Sequence, residues 1–206
     1  MKLLLKILLP SAFCLLPSFL FAQILDSTSL MACPIYYTLE EALKNPNKVY
    51  RLDLRKKKLK IFPKEILQLS NLKELNLSKN QLKELPEEIG TLTNLQILNV
   101  SGNKLQYLPD SIGELKNLKK LIGSKNSLLA IPKRIGDLQN LEALDLWEND
   151  LSVFPEELSK LKKLRWLDLR VILIDDNVQE RIRQLLPNTK NFFFSKLSLR
   201  DGIILL

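Results

Sequence analysis

The chain contains no histidine and only two cysteines in 206 residues. The first absence excludes catalysis by histidine, whether in a triad or at a zinc ion. The second excludes a disulfide scaffold, because two cysteines cannot form the several crosslinks on which coreless secreted mini-proteins depend. What is present fits a folded domain. A composition 46% apolar and 26% charged is too hydrophobic for a disordered protein, and the length allows one domain with a substantial core. The formal charge of +8 invites a nucleic-acid reading, which depends on where that charge sits.

The N-terminus reads as an export signal. Lys2 and Lys6 make a basic start, residues 7–25 carry no charge, and Asp26 ends the run. Ala22 supplies a small residue for cleavage, although Leu20, three positions before the cut, is larger than ideal. A retained anchor is the alternative; Pro10 and Pro17 interrupt the run and count against a spanning helix. Leu30-Met31-Ala32-Cys33 resembles the motif before a lipidated cysteine, but the polar Asp26-Ser27-Thr28-Ser29 separates it from the hydrophobic run, so lipoprotein anchoring at Cys33 is not expected. Removing residues 1–22 takes Cys14 away, leaves Cys33 without an internal disulfide partner and lowers the charge to +6. The expected location is secreted or periplasmic, at the cell envelope.

The remainder has one dominant period. Pro63, Pro86, Pro109, Pro132 and Pro155 are 23 residues apart, and Asn80, Asn103, Asn126 and Asn149 keep the same step. So do Asn71, Asn94, Asn117 and Asn140, and the pairs Ile89-Gly90, Ile112-Gly113 and Ile135-Gly136. Five complete units begin at Val49, Leu72, Leu95, Leu118 and Leu141; a sixth begins at Leu164 and breaks down after Arg170. Positions 1, 4, 6, 11, 14, 18 and 21 of the unit are apolar, and 34 of these 35 places carry Leu, Ile, Val or Phe, with Gly123 the exception.

That pattern dictates a shape. The alternation at Leu75 and Leu77 predicts a short strand, with Glu74, Asn76 and Ser78 pointing the other way. Positions 11 to 21 are spaced by three and four, which suits an irregular or loosely helical return. One such unit cannot bury its own apolar face, so neighbours must stack into a right-handed solenoid with a parallel sheet, its strands about 4.8 Å apart. Asparagine at position 9 can satisfy backbone groups of its own and the adjacent turn. Lys57 and Ile172 replace it in the first and last units, where one neighbour is missing.

The unit Leu-x-x-Leu-x-Leu-x-x-Asn-x-Leu-x-x-Leu-Pro-x-x-Ile-x-x-Leu-x-Asn resembles the leucine-rich repeat in its 23-residue bacterial form. The resemblance implies an α/β solenoid whose concave face carries the sheet and the ligand, over residues 49–171. It implies a binding architecture rather than one partner. Residues 23–48 are expected to form an N-terminal helical cap, with Thr38-Leu39-Glu40-Glu41 as a capping box and a helix from Leu39 to about Lys44. Residues 172–195 are expected to form a helix-strand cap: a helix from Asp175-Asp176-Asn177 to Pro187 with Val178, Ile182 and Leu185 inward, then Phe192-Phe193-Phe194. Residues 196–206 form a tail too short to span a membrane.

The resemblance also places positions 3, 5, 7 and 8 on the concave face, and both tryptophans, Trp147 and Trp166, fall there in adjacent repeats. Tryptophan is enriched in binding hot spots, and the alternative is a ring lying flat over its neighbours or under the C-terminal cap. With Ile97, Ile122, Asp145, Asp168 and Arg170 they make the expected contact zone for a protein partner. Asp145 and Asp168, about 5 Å apart on neighbouring strands, match the spacing of a retaining glycosidase or a cation site, but a flat solenoid face has no cleft to exclude water. No enzyme activity, metal or cofactor is expected, and residues 172–206 lack the catalytic cysteine of the ubiquitin-ligase domain that some bacterial relatives carry. Arg55, Lys56, Lys57 and Lys58 form the densest basic run. They support a second reading as a site for glycans or envelope polyanions, against a structural one in which they protect an open sheet edge. No aromatic residues interleave with the run, so nucleic acid is not an expected partner. The protein is expected to be a monomer.

Overall fold

The structure, a computed structural model, describes residues 30–172 and 174–194, together with the backbone of Ser198–Arg200 and Ile203–Leu205. The segment read as a signal, residues 1–22, lies outside the described residues. Eight parallel strands stand side by side in chain order: β1 (Ile35–Tyr36), β2 (Arg51–Asp53), β3 (Glu74–Asn76), β4 (Ile97–Asn99), β5 (Lys120–Ile122), β6 (Ala143–Asp145), β7 (Trp166–Leu169) and β8 (Asn191–Phe194). Register follows the repeat. Leu52, Leu75, Leu98, Leu121, Leu144 and Leu167 are successive partners and all face the core.

The return path is a 3₁₀ turn in each unit, spanning Lys64–Gln68, Glu87–Thr91, Asp110–Glu114, Lys133–Asp137 and Glu156–Lys160. The repeat proline sits at the N-cap of each, where its fixed φ and missing N–H cost nothing. Turns stack closely. A Cβ on Gly113 would lie 2.5 Å from the Arg134 carbonyl oxygen, and one on Gly136 would press as hard on that of Glu157. Glycine is therefore required by the approach of the next backbone.

The position-9 asparagines form a ladder through the solenoid. Asn80 Nδ2 donates to the carbonyls of Leu54 (2.9 Å) and Leu77 (2.8 Å), while its Oδ1 accepts the N–H of Leu59 at 3.1 Å. Asn103, Asn126 and Asn149 repeat the first two links one turn further on each time, and the Oδ1 of each accepts an N–H 21 residues back. A second ladder runs along the other side. Asn71, Asn94, Asn117 and Asn140 each donate to a carbonyl 24 residues earlier.

The ends close the core. At the N-terminus α1 (Leu39–Leu43) is capped by the Thr38 hydroxyl, which accepts from the Glu41 N–H, and Ala42 is fully buried. The strand β1 just before it was not expected. It pairs with β2, so the basic first repeat does not lie at an open sheet edge. At the other end α2 (Asp176–Leu185) starts on the Asp175 side chain, buries Ile182 and is followed by β8. Beyond it, β9 (Ser198–Arg200) and β10 (Ile203–Leu205) form a separate antiparallel pair. No helix among the described residues is long and apolar enough to cross a membrane.

Candidate functional site on the concave face

Each strand is short, so only positions 3 and 5 stand outward from it, with position 7 just past its end. The position-5 residues have a structural task. The Oδ1 atoms of Asp53, Asn76, Asn99, Asp145 and Asp168 each accept the backbone N–H two residues on, at 3.0 to 3.3 Å, and so start the turn out of the strand. Short acceptor side chains recur there for that reason.

The two carboxylates of the pair have different surroundings. Asp168 is completely buried, not exposed as expected, and Arg170 grips it with Nε at 3.0 and 3.1 Å and Nη2 at 2.6 Å. Both of its oxygens are engaged by charge-assisted hydrogen bonds, so Asp168 anchors Arg170 within its own turn. Asp145 is half-buried and accepts from the Trp147 N–H and, at 3.2 Å, from the Ser124 hydroxyl. Burial holds its carboxyl above the usual carboxylate range, against those two hydrogen bonds, and the neighbouring Asp168 adds to the rise. Among the described residues there is no group of three or more acidic or cysteine side chains that could hold a metal ion.

The tryptophans are neither freely exposed nor hidden. Trp166 at the start of β7 is half-buried, with the Phe193 ring of β8 at 5.7 Å and 58°. Arg170, anchored by Asp168, places its guanidinium 5.5 Å from the centroid of that same Phe193 ring. Asp168 also raises the pKa of Arg170. Trp147 is half-buried beyond β6, and the Lys125 ammonium lies 4.5 Å from its ring centroid. Ile97 and Ile122 are half-buried too. The register makes Ile97, Ile122, Ala143 and Trp166 a zigzag across β4 to β7, while exposed Lys120 blocks the straight path from Ile97 to Ala143.

Phe193 and Lys125 escaped the sequence reading. Phe193 was legible only as a strand residue, yet alternation along Phe192-Phe193-Phe194 turns the middle ring outward. Lys125 occupies position 8, where the backbone is left-handed in every unit: Lys56, Lys79, Gly102, Lys125, Glu148 and Val171 all have φ between 55° and 65°. Other surprises come from the non-repeating N-terminus. Arg51, expected on the open face, is buried and bonded to Glu74 at 2.7 Å and to the Met31 carbonyl. Cys33 is buried with Leu30 and Tyr50. Lys73 is also buried, and desolvation lowers its pKa, partly offset by Cys33. Arg55, Lys56, Lys57 and Lys58 are exposed in the loop after β2, with Arg55 paired to Asp53 at 3.2 Å.

A parallel sheet built from one turn per 23 residues, with asparagine ladders on both sides, defines a leucine-rich repeat solenoid. A family model described as a leucine-rich repeat region matches residues 45–196, and the chain belongs to that family. Among solved structures it is similar to a leucine-rich repeat protein of Leptospira interrogans, with 38% identity and a TM-score of 0.63 over 78% of this chain and 46% of that one. It is also similar to internalin C2 of Listeria monocytogenes, with 25% identity and a TM-score of 0.63 over 74% and 63% of the two chains. The internalin F of the same organism, 21% identical over 73% and 40% with a TM-score of 0.55, shares the fold. The chain therefore spans less than two thirds of each of these proteins. No curated protein matches it. The fold is that of an interaction module.

Proposed function

We propose that the protein is a secreted or envelope-associated module that captures a protein partner through the C-terminal half of its concave face and performs no chemistry of its own. One observation carries this reading. Two tryptophans in adjacent repeats, each beside a cation-bearing or aromatic neighbour, lie at the C-terminal end of a zigzag of half-exposed aliphatic side chains. Rings held by packing lose little entropy on binding, and tryptophan and arginine dominate measured hot spots. Export is supported by the arrangement of Lys2, Lys6 and the uncharged run to Leu25.

The test is affinity capture from extracellular and envelope fractions, followed by affinity measurement with the captured partner. Trp147→Ala with Trp166→Ala should weaken binding by at least about 30-fold, the equivalent of one hot-spot residue. Both rings are partly packed, so Ile97→Lys with Ile122→Lys serves as a second variant. Unchanged affinity in a folded form of either would refute the placement.

A further inference from the structure

The flank that climbs from the strand ends to the 3₁₀ turns carries its own constellation. Lys58, Lys60, Lys79, Lys83 and Lys104 are all exposed there. Among the described residues none of them has a carboxylate within 4.0 Å. Shallow grooves lie between successive repeats on this side. One of about 410 Å³ is lined by Lys83, Lys104, Gln106 and Ser127. The next, of about 290 Å³, sets Lys60, Lys64 and Lys83 around Ile61 and Pro86, with Glu84 also in its wall. A third joins Lys83 and Gln106 to Tyr107. Lys83 belongs to all three. Exposed apolar side chains stand beside the cations, Ile61 at 82% and Tyr107 at 59% exposure.

We infer that this flank binds an extended acidic polysaccharide, threaded from the first repeat to the edge of the fourth, with Lys83 shared by all three grooves. Repeating cations suit a ligand with repeating anionic groups. Gln106 and Ser127 offer an amide and a hydroxyl to sugar hydroxyls in the groove between Lys83 and Lys104, and the Tyr107 ring offers a face to a sugar ring. Lysines act as flexible point charges that follow a thread without demanding one bidentate geometry. The basic run at Lys56, Lys57 and Lys58 lies at the N-terminal start of the same path.

Two other anionic partners fit less well. Glu84, Glu87 and Asp110 also line the third groove, and Glu84 the second, so the cations form a row of separate points that a flexible thread can follow and a continuous plane of lipid headgroups cannot match. An acidic peptide strand would need main-chain partners. Here the flank N–H groups of Gln81, Lys104 and Ser127 already donate to Leu59, Leu82 and Leu105 of the preceding repeat.

The experiment uses the whole protein with a heparin oligosaccharide as the sulfated probe and polygalacturonate as the carboxylated one. Lys83→Gln with Lys104→Gln should weaken binding about tenfold or more. Lys160→Gln with Lys162→Gln, which removes the same charge elsewhere, should weaken it less than about twofold, as expected of charges outside the contact. Tyr107→Ala should weaken binding without changing its salt dependence, and Trp147→Ala with Trp166→Ala should leave it unchanged. That last control separates this site from the protein-binding face. Equal loss in the Lys160/Lys162 control, equal or tighter binding of phosphatidylglycerol vesicles or polyglutamate, or no binding of either polysaccharide overturns the proposal.

Discussion

Replacing Asn80 by alanine tests how the solenoid holds together. The amide is buried, and it closes two carbonyls, Leu54 and Leu77, and one N–H, Leu59. Alanine removes all three bonds and leaves the Leu54 carbonyl and the Leu59 N–H without this partner, while the Leu77 carbonyl keeps the Asn103 amide at 3.0 Å. At about 1 kcal/mol net for each hydrogen bond the loss is about 3 kcal/mol, and more where the stranded groups stay dry. For a chain of this size that is a fall in Tm of about 6–12 °C. Urea melts followed by far-ultraviolet circular dichroism measure the whole fold, while the fluorescence of Trp147 and Trp166 reports from the far end. Because each unit touches only its neighbours, damage in the second unit should move both signals together only if the array unfolds as one. Asn80→Asp supplies a sharper control. A carboxylate there keeps the bond from Leu59 but turns an oxygen toward two carbonyls, so at neutral pH it should cost at least as much as alanine. It should recover part of that loss as acidification restores a donor. A loss below about 0.5 kcal/mol for Asn80→Ala, within the range of ordinary surface substitutions, would show that the ladder is decoration.

Two further outcomes follow from local geometry. Burial raises the Asp145 pKa, so the folded state favours the protonated acid, and its contribution to stability falls as the pH rises from the ordinary carboxylate value through the folded one. Asp145→Asn should therefore gain on the wild type between pH 4 and 7 in chemical melts, as Asn76 and Asn99 already fill this position; a variant that loses ground as the pH rises contradicts the sign. Gly113→Ala should destabilise by about 1–3 kcal/mol, because its methyl group meets a backbone carbonyl of the next turn at 2.5 Å, and calorimetry comparing it with Gly102→Ala, where nothing lies closer than 3.5 Å, isolates crowding from backbone preference.

The repeating part of the fold was legible because its causes repeat. Leucines at positions 4 and 6 specify a strand, the proline starts each 3₁₀ turn, and the asparagines stand where turns need a donor and an acceptor together. The concave face was legible in position but not in availability. Asp168 looks from its column like an exposed contact, yet the arginine two residues on folds back over it, and a periodic pattern cannot distinguish a carboxylate offered outward from one consumed within its own turn. The N-terminal contacts were illegible for a different reason. Ile35-Tyr36, Cys33 and Arg51 meet through a segment with no period, so their proximity depends on tertiary packing that spacing does not encode.

The constant step between strands has a consequence for how such a protein can change. From Leu52 and Leu75 to Leu144 and Leu167 each pairing advances by 23 residues; only at Tyr36 with Leu52 and at Leu167 with Phe192 does the step differ. An interior repeat thus has no address of its own. Excising one whole period would leave every inward side chain beside a neighbour of the same kind, whereas excising one residue fewer would turn leucines out and polar residues in. Length is free to drift in the interior while the two ends stay fixed, and the outward positions can be rewritten repeat by repeat without consulting the core.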